Sequence, residues 1–131
     1  MPRRPKVPIQ NRSHSGWWIF REVQQWVSNR QKSLSEGSRC PVWENTRLIR
    51  ARSRDEAYRK ALRIARAGLP SKTDGGEWRF AGISLLLPVY EDLEDGAEIL
   101  WTDLGRLSVK QIKGLVKSRK QLPVFDDRDD R

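Results

Sequence analysis

Apolar positions divide this chain into four strand-like stretches and two helical ones. "GWWIFREVQQWV" (16–27) is rich in β-branched and aromatic residues. It is bounded by Gly16 and a polar run at 28–39, which predicts a strand. "CPVWENTRLIRA" (40–51) predicts a second strand, with Pro41 at its start, where a missing N–H donor is tolerated. A helix should follow. Ser53 is the expected N-cap, with Glu56 three residues later as its capping-box partner. Ala57, Tyr58, Ala61, Leu62, Ile64 and Ala65 share one side of the helical wheel. Asp55, Glu56, Arg59, Lys60, Arg63 and Arg66 share the other. Gly68 suits the helix end, and Pro70 prevents continuation.

"DGG" (74–76) signals a turn, and "EWRFAGISLLL" (77–87) predicts a third strand that Pro88 should bulge, end or place at an edge. "EDLEDG" (91–96) is an acidic turn, and "AEILWTDL" (97–104) predicts a fourth strand. A second helix should start at Ser108, capped by Gln111, with Val109, Ile112, Leu115 and Val116 as its apolar stripe. The order β-β-α-β-β-α defines an α+β domain: a four-stranded, mainly antiparallel sheet with the first helix packed on one face. The helix offers alanines, leaving room for tryptophans on the strands. Neighbouring strand residues face opposite ways, so Trp17 and Trp18 cannot both meet the helix, nor can Leu85, Leu86 and Leu87. Both sheet faces are therefore apolar. Either the C-terminal helix or a second copy, giving a homodimer, should cover the second face.

Length and composition narrow the class. With 131 residues, the chain holds one modest core, expected over 16–120. Residues 1–15, rich in Pro and Arg, and 121–131 read as disordered tails. Cys40 is the only cysteine, so an internal disulfide is impossible, which suits the cytoplasm. The longest apolar stretch, 81–90, is half a bilayer span and contains Pro88, which argues against membrane insertion.

Charge is segregated along the chain. The net charge is +9, yet 47–66 carries +6, 77–105 carries −6 and 106–120 carries +6. A positive balance permits association with nucleic acid or acidic proteins without choosing between them. Within "RLIRARSRDEAYRKALRIAR" (47–66), Arg59, Arg63 and Arg66 stand at i, i+4 and i+7 and form one stripe. Such a row can meet phosphates through bidentate donors. It can equally be a solvated face, with Asp55–Arg59 and Glu56–Lys60 paired at i,i+4.

Catalytic chemistry is sparse. One His and one Cys give no metal-ligand cluster and no His-dependent dyad, so no metal or cofactor is expected. Glu91, Asp92, Glu94, Asp95 and Glu98 could do acid–base work, but their spacing suits a solvated turn better and matches no calcium loop. The chain is therefore expected not to be an enzyme.

Four stretches in order carry a family resemblance: "WWIFRE" (17–22), "RLIRARSRDEAYRKAL" (47–62), "WRFAGISLL" (78–86) and "LEDGAEILW" (93–101). Together, over roughly 17–115, they resemble a bacterial family known as domain of unknown function 4288. The resemblance implies no activity, cofactor or catalytic residue. The resulting expectation is a cytoplasmic, non-enzymatic domain acting through protein–protein contacts with an unidentified partner. The alternative is a nucleic-acid-associated protein binding phosphates through the basic helix and tails.

Overall fold

The computed structural model describes residues 6–31 and 34–128. The outer ends of the expected tails, 1–5 and 129–131, and residues 32 and 33 of the first loop lie outside the described residues. By its internal contacts the chain divides into two units, Met1–Trp101 and Thr102–Arg131.

The first unit is a four-stranded antiparallel sheet with one helix. Strand β1 (Trp17–Ser28) pairs with β2 (Val42–Arg50) on one side and with β4 (Gly76–Pro88) on the other. A short strand β3 (Ser71–Thr73) borders β4, giving the order β2-β1-β4-β3. Helix α1 (Arg54–Ala67) lies between β2 and β3 in the chain. With α2 (Val109–Leu115) in the second unit, the predicted order β-β-α-β-β-α holds.

One strand differs in position. Residues 97–101 have no regular structure and 102–104 form no strand, so "AEILWTDL" does not supply the fourth strand. Ser71–Thr73 takes that place, joined to β4 by a two-residue Asp74–Gly75 turn in which Gly75 has φ +87°. A positive φ there is the conformation that tight hairpins need and that glycine adopts without steric cost.

The helix forms where its chemistry points. The Ser53 side chain accepts a hydrogen bond from the Glu56 N–H, satisfying one of the orphan donors of the first turn. Glu56 reaches back to the Arg52 N–H, one residue before the cap. Ala57, Ala61 and Ala65 are fully or almost fully buried and meet Trp18, Phe20, Ile49 and Ala51. Phe80, Ile83, Leu86 and the helix's own Ile64 close the margin of this core. The Trp18 indole N–H donates to the Ala51 carbonyl at 3.1 Å, so the large ring is buried without losing its polar partner.

Trp17 and Trp18 do separate as pleating requires. Trp17 pairs across from Arg50, whose guanidinium lies 4.9 Å from the indole centroid. Ile19 and Val27, on the face away from α1, are also buried. The leucines divide likewise, with Leu86 against the helix-side core and Leu85 and Leu87 half-buried opposite. The tryptophan expectation holds only in part. Trp18 fills the alanine face, whereas Trp43 and Trp101 are more than half exposed.

Register along β1–β2 is continuous from Trp17↔Arg50 to Gln25↔Val42. Along β1–β4 it shifts twice, between Arg21 and Glu22 and between Val23 and Gln24, which inserts Ser84 and Ala81 as bulges in β4. Pro88 ends that strand.

Residues 6–15, expected as part of a disordered tail, carry a 3-10 turn at Ile9–Asn11 that touches β4. Ser13 donates to the carbonyls of Trp17 and Val89, Ser15 donates to that of Val89, and Tyr90 donates to the Gln10 carbonyl.

In the second unit, α2 has the predicted capping box between Ser108 and Gln111, and its stripe of Val109, Ile112, Leu115 and Val116 is exposed. Further 3-10 turns follow at Arg119–Gln121 and Pro123–Phe125. Arg128 holds Asp126 through two side-chain contacts of 2.8 and 2.7 Å, which lowers the Asp126 carboxyl below its ordinary pKa.

Candidate interaction surfaces

Burial of the alanine face sends Arg59, Arg63 and Arg66 to the outer side of α1, where all three are exposed. Neither Asp55–Arg59 nor Glu56–Lys60 closes as an ion pair. Among the described residues the ion pairs are Arg47–Glu22, Arg79–Glu77 and Arg128–Asp126. The Lys60 ammonium instead donates to the Arg50 carbonyl at 2.8 Å. The stripe therefore splits. Arg59 and Arg63 border a shallow depression with Glu56 and Lys60, whereas Arg66 turns toward the sheet, its guanidinium 5.6 Å from the Phe80 ring. Cation–π contact of this kind engages Arg66, and among the described residues Arg59 and Arg63 have no such contact.

The acidic turn is a solvent-facing element. Glu91, Asp92, Glu94, Asp95 and Glu98 are exposed, Gly96 has φ +88°, and the Glu91 carboxylate accepts from the Glu98 N–H. Among the described residues no group of three His, Cys, Asp or Glu side chains converges to hold a metal ion. His14 is exposed and Cys40 is a half-buried thiol without a partner.

Sequence reasoning did not find Glu22. It is fully buried on the helix-side face of β1. Its Oε1 accepts from Arg47 Nε at 2.6 Å, and its Oε2 receives no hydrogen bond from the described residues. Burying a carboxylate is costly unless it is paired, so Arg47 carries a structural duty. Arg47 is half exposed, and in the sequence it looks like one more basic residue before the helix. The missing signal is the cross-strand distance, which no local pattern encodes.

The second surface missed is the outer edge of β2. This strand has a partner on one side only. Seven of its nine residues are exposed, including Val42, Trp43 and Leu48. Trp43 stands edge-on to Trp78 with centroids 5.7 Å apart and keeps 62% of its surface in solvent. Exposed aromatic and aliphatic side chains thus stand on an edge that has no strand partner, among exposed Glu44, Thr46, Arg47 and Arg50.

Fold and surface together define a small α+β domain with a single-helix layer and an open sheet edge. The chain belongs to the family described as a domain of unknown function, DUF4288, whose model matches residues 17–101. The match ends at Trp101, where the first structural unit also ends. No curated protein and no solved structure matches the chain significantly. Among the described residues no helix is long and apolar enough to cross a membrane.

Proposed function

We propose that this chain is a cytoplasmic, non-enzymatic interaction domain that works through protein–protein contacts. The observation that carries this reading is the β2 edge, a nine-residue strand whose outer side has no strand partner and whose Val42, Trp43 and Leu48 are exposed. A strand of that length offers main-chain hydrogen bonds for affinity and alternating side chains for specificity. Affinity capture with the full chain tests it, comparing the natural sequence with Thr46→Pro, which removes an edge donor without touching the β1 ladder. Specific partners held by the natural chain and lost by the variant are expected. Equal retention by both, or retention of nothing, overturns the reading.

A second reading rests on Arg59 and Arg63, exposed and outside every ion pair among the described residues. In it, these residues and Arg66 contact the phosphates of a nucleic acid. Absence of binding to labelled DNA and RNA at low salt removes it.

A further inference from the structure

The two edges of this sheet are built differently. On the far side, β3 covers only Gly76–Trp78 of β4. Beyond it β4 carries two bulges, at Ala81 and Ser84, and ends in Pro88, which has no N–H to offer. Bulges and proline are devices that stop a strand from pairing further. The β2 edge has none of these between Val42 and Arg50, and its register against β1 runs without a shift. One edge is blunted and one is open.

The open edge has a defined pattern. The Ala51 N–H donates to the Gly16 carbonyl at 2.9 Å, and the Trp26 N–H donates to the Pro41 carbonyl at 3.0 Å. Odd-numbered β2 residues therefore direct their backbone groups to β1. Alternation then turns those of Val42, Glu44, Thr46, Leu48 and Arg50 outward, where the Arg50 carbonyl already accepts from Lys60 and an incoming strand must displace or share that contact. The side chains of these outward-turned residues lie on the face away from α1, since Leu48 pairs with Ile19 and Arg50 with Trp17.

We infer that β2 pairs antiparallel with β2 of a second copy, centred on Thr46, to make a continuous eight-stranded sheet. The inference rests on the protein–protein reading above and names its partner. An antiparallel pair related by a two-fold axis is self-complementary, and closure leaves no growing edge. Centring on Thr46 sets Thr46 opposite Thr46, Glu44 opposite Leu48, Val42 opposite Arg50, Asn45 opposite Arg47 and Trp43 opposite Ile49. No like charges face each other, and the central Thr–Thr pair is a favourable one. Centring on Arg47 would oppose two guanidinium groups and lose two of the nine residues from the ladder. Centring on Asn45 loses two as well. The Thr46 register alone uses the whole strand. On the diagonals, Arg50 of the second copy neighbours Glu44 at the ends of the ladder, while the two Arg47 residues neighbour each other near its centre, each already paired with its own Glu22.

The test uses the full chain with Cys40→Ser, so that any thiol is an introduced one. Sedimentation velocity over a concentration series is expected to show a monomer–dimer equilibrium. Thr46→Lys places two ammonium groups together on the axis and is expected to weaken the dimer at least about tenfold, with unchanged circular dichroism. Directly opposed, hydrogen-bonded residues have Cα atoms about 5.5 Å apart, within disulfide reach. Thr46→Cys is therefore expected to form covalent dimers under mild oxidation. Arg50→Cys is not, because its two copies would lie roughly 26 Å apart. A strict monomer overturns the inference, as does a dimer that tolerates Thr46→Lys and leaves Thr46→Cys unlinked. A monomer that still captures another protein through β2 also overturns it while leaving the interaction reading standing.

Discussion

Glu22 and Arg47 are the clearest case of one residue depending on another. The carboxylate is out of water, and the guanidinium that neutralises it reaches in from the strand edge. Arg47→Ala would strand the charge. The expected loss is about 2–3 kcal/mol, toward the low end for a broken buried pair because Arg47 itself is half exposed. Urea unfolding would register it as a lower midpoint with an unchanged slope. Trp26 offers a second residue-scale lesson. Its ring packs where a side chain on Gly76 would stand, since a Cβ there would approach within 2.6 Å of the indole, and its N–H donates to Thr73 at 2.9 Å. The glycine is needed for room, not for a special φ.

At the scale of elements, α1 shows which signals are local. Ser53 is a real cap, so Ser53→Ala should cost about 1 kcal/mol. Ala61 is fully buried in the core that holds Trp18 and Phe20, so Ala61→Leu should cost about 1–3 kcal/mol through overpacking. Thermal unfolding of both variants checks the order, with Ala61→Leu the less stable. These features were legible because a cap and a helical stripe are written within a few residues of each other. β1, β2 and β4 were legible from β-branched and aromatic runs for the same reason. The fourth strand was not. "AEILWTDL" has strand composition, but pairing is non-local, and β4's outer edge goes to Ser71–Thr73. That segment reaches it through a two-residue turn, at small loop-closure cost, although nothing in its composition marks it as a strand. The arginine stripe was found because helical spacing reveals it. The β2 edge was not, since only topology decides which strand lies outermost.

At the scale of the whole molecule, charge and edge offer different partners. A net charge of +9 would favour polyanions whatever their register, whereas the open β2 edge would accept only a strand in register. Salt separates the two. If Arg59, Arg63 and Arg66 each neutralise one phosphate, the logarithm of affinity should fall with the logarithm of salt at a slope of about −3. The Arg59→Glu, Arg63→Glu, Arg66→Glu variant should abolish that binding in an anisotropy titration. A main-chain ladder between strands should be nearly indifferent to the same change in salt, because its contacts are hydrogen bonds and apolar side chains.

The buried Glu22–Arg47 pair also bears on which pairing of strands the chain accepts. Ile49 is the only fully buried residue of β2, so burial barely distinguishes the native alignment from one slid by two residues. Such a slide keeps every side chain on its own face yet carries the guanidinium away from the carboxylate. The pair thus acts as a key for alignment more than as a source of stability. Replacing both partners by apolar residues, Glu22→Leu with Arg47→Met, should leave the unfolding free energy within about 1 kcal/mol of the natural chain. The cost would appear elsewhere, as doubled amide resonances along β2, reporting a strand that no longer knows where to stop.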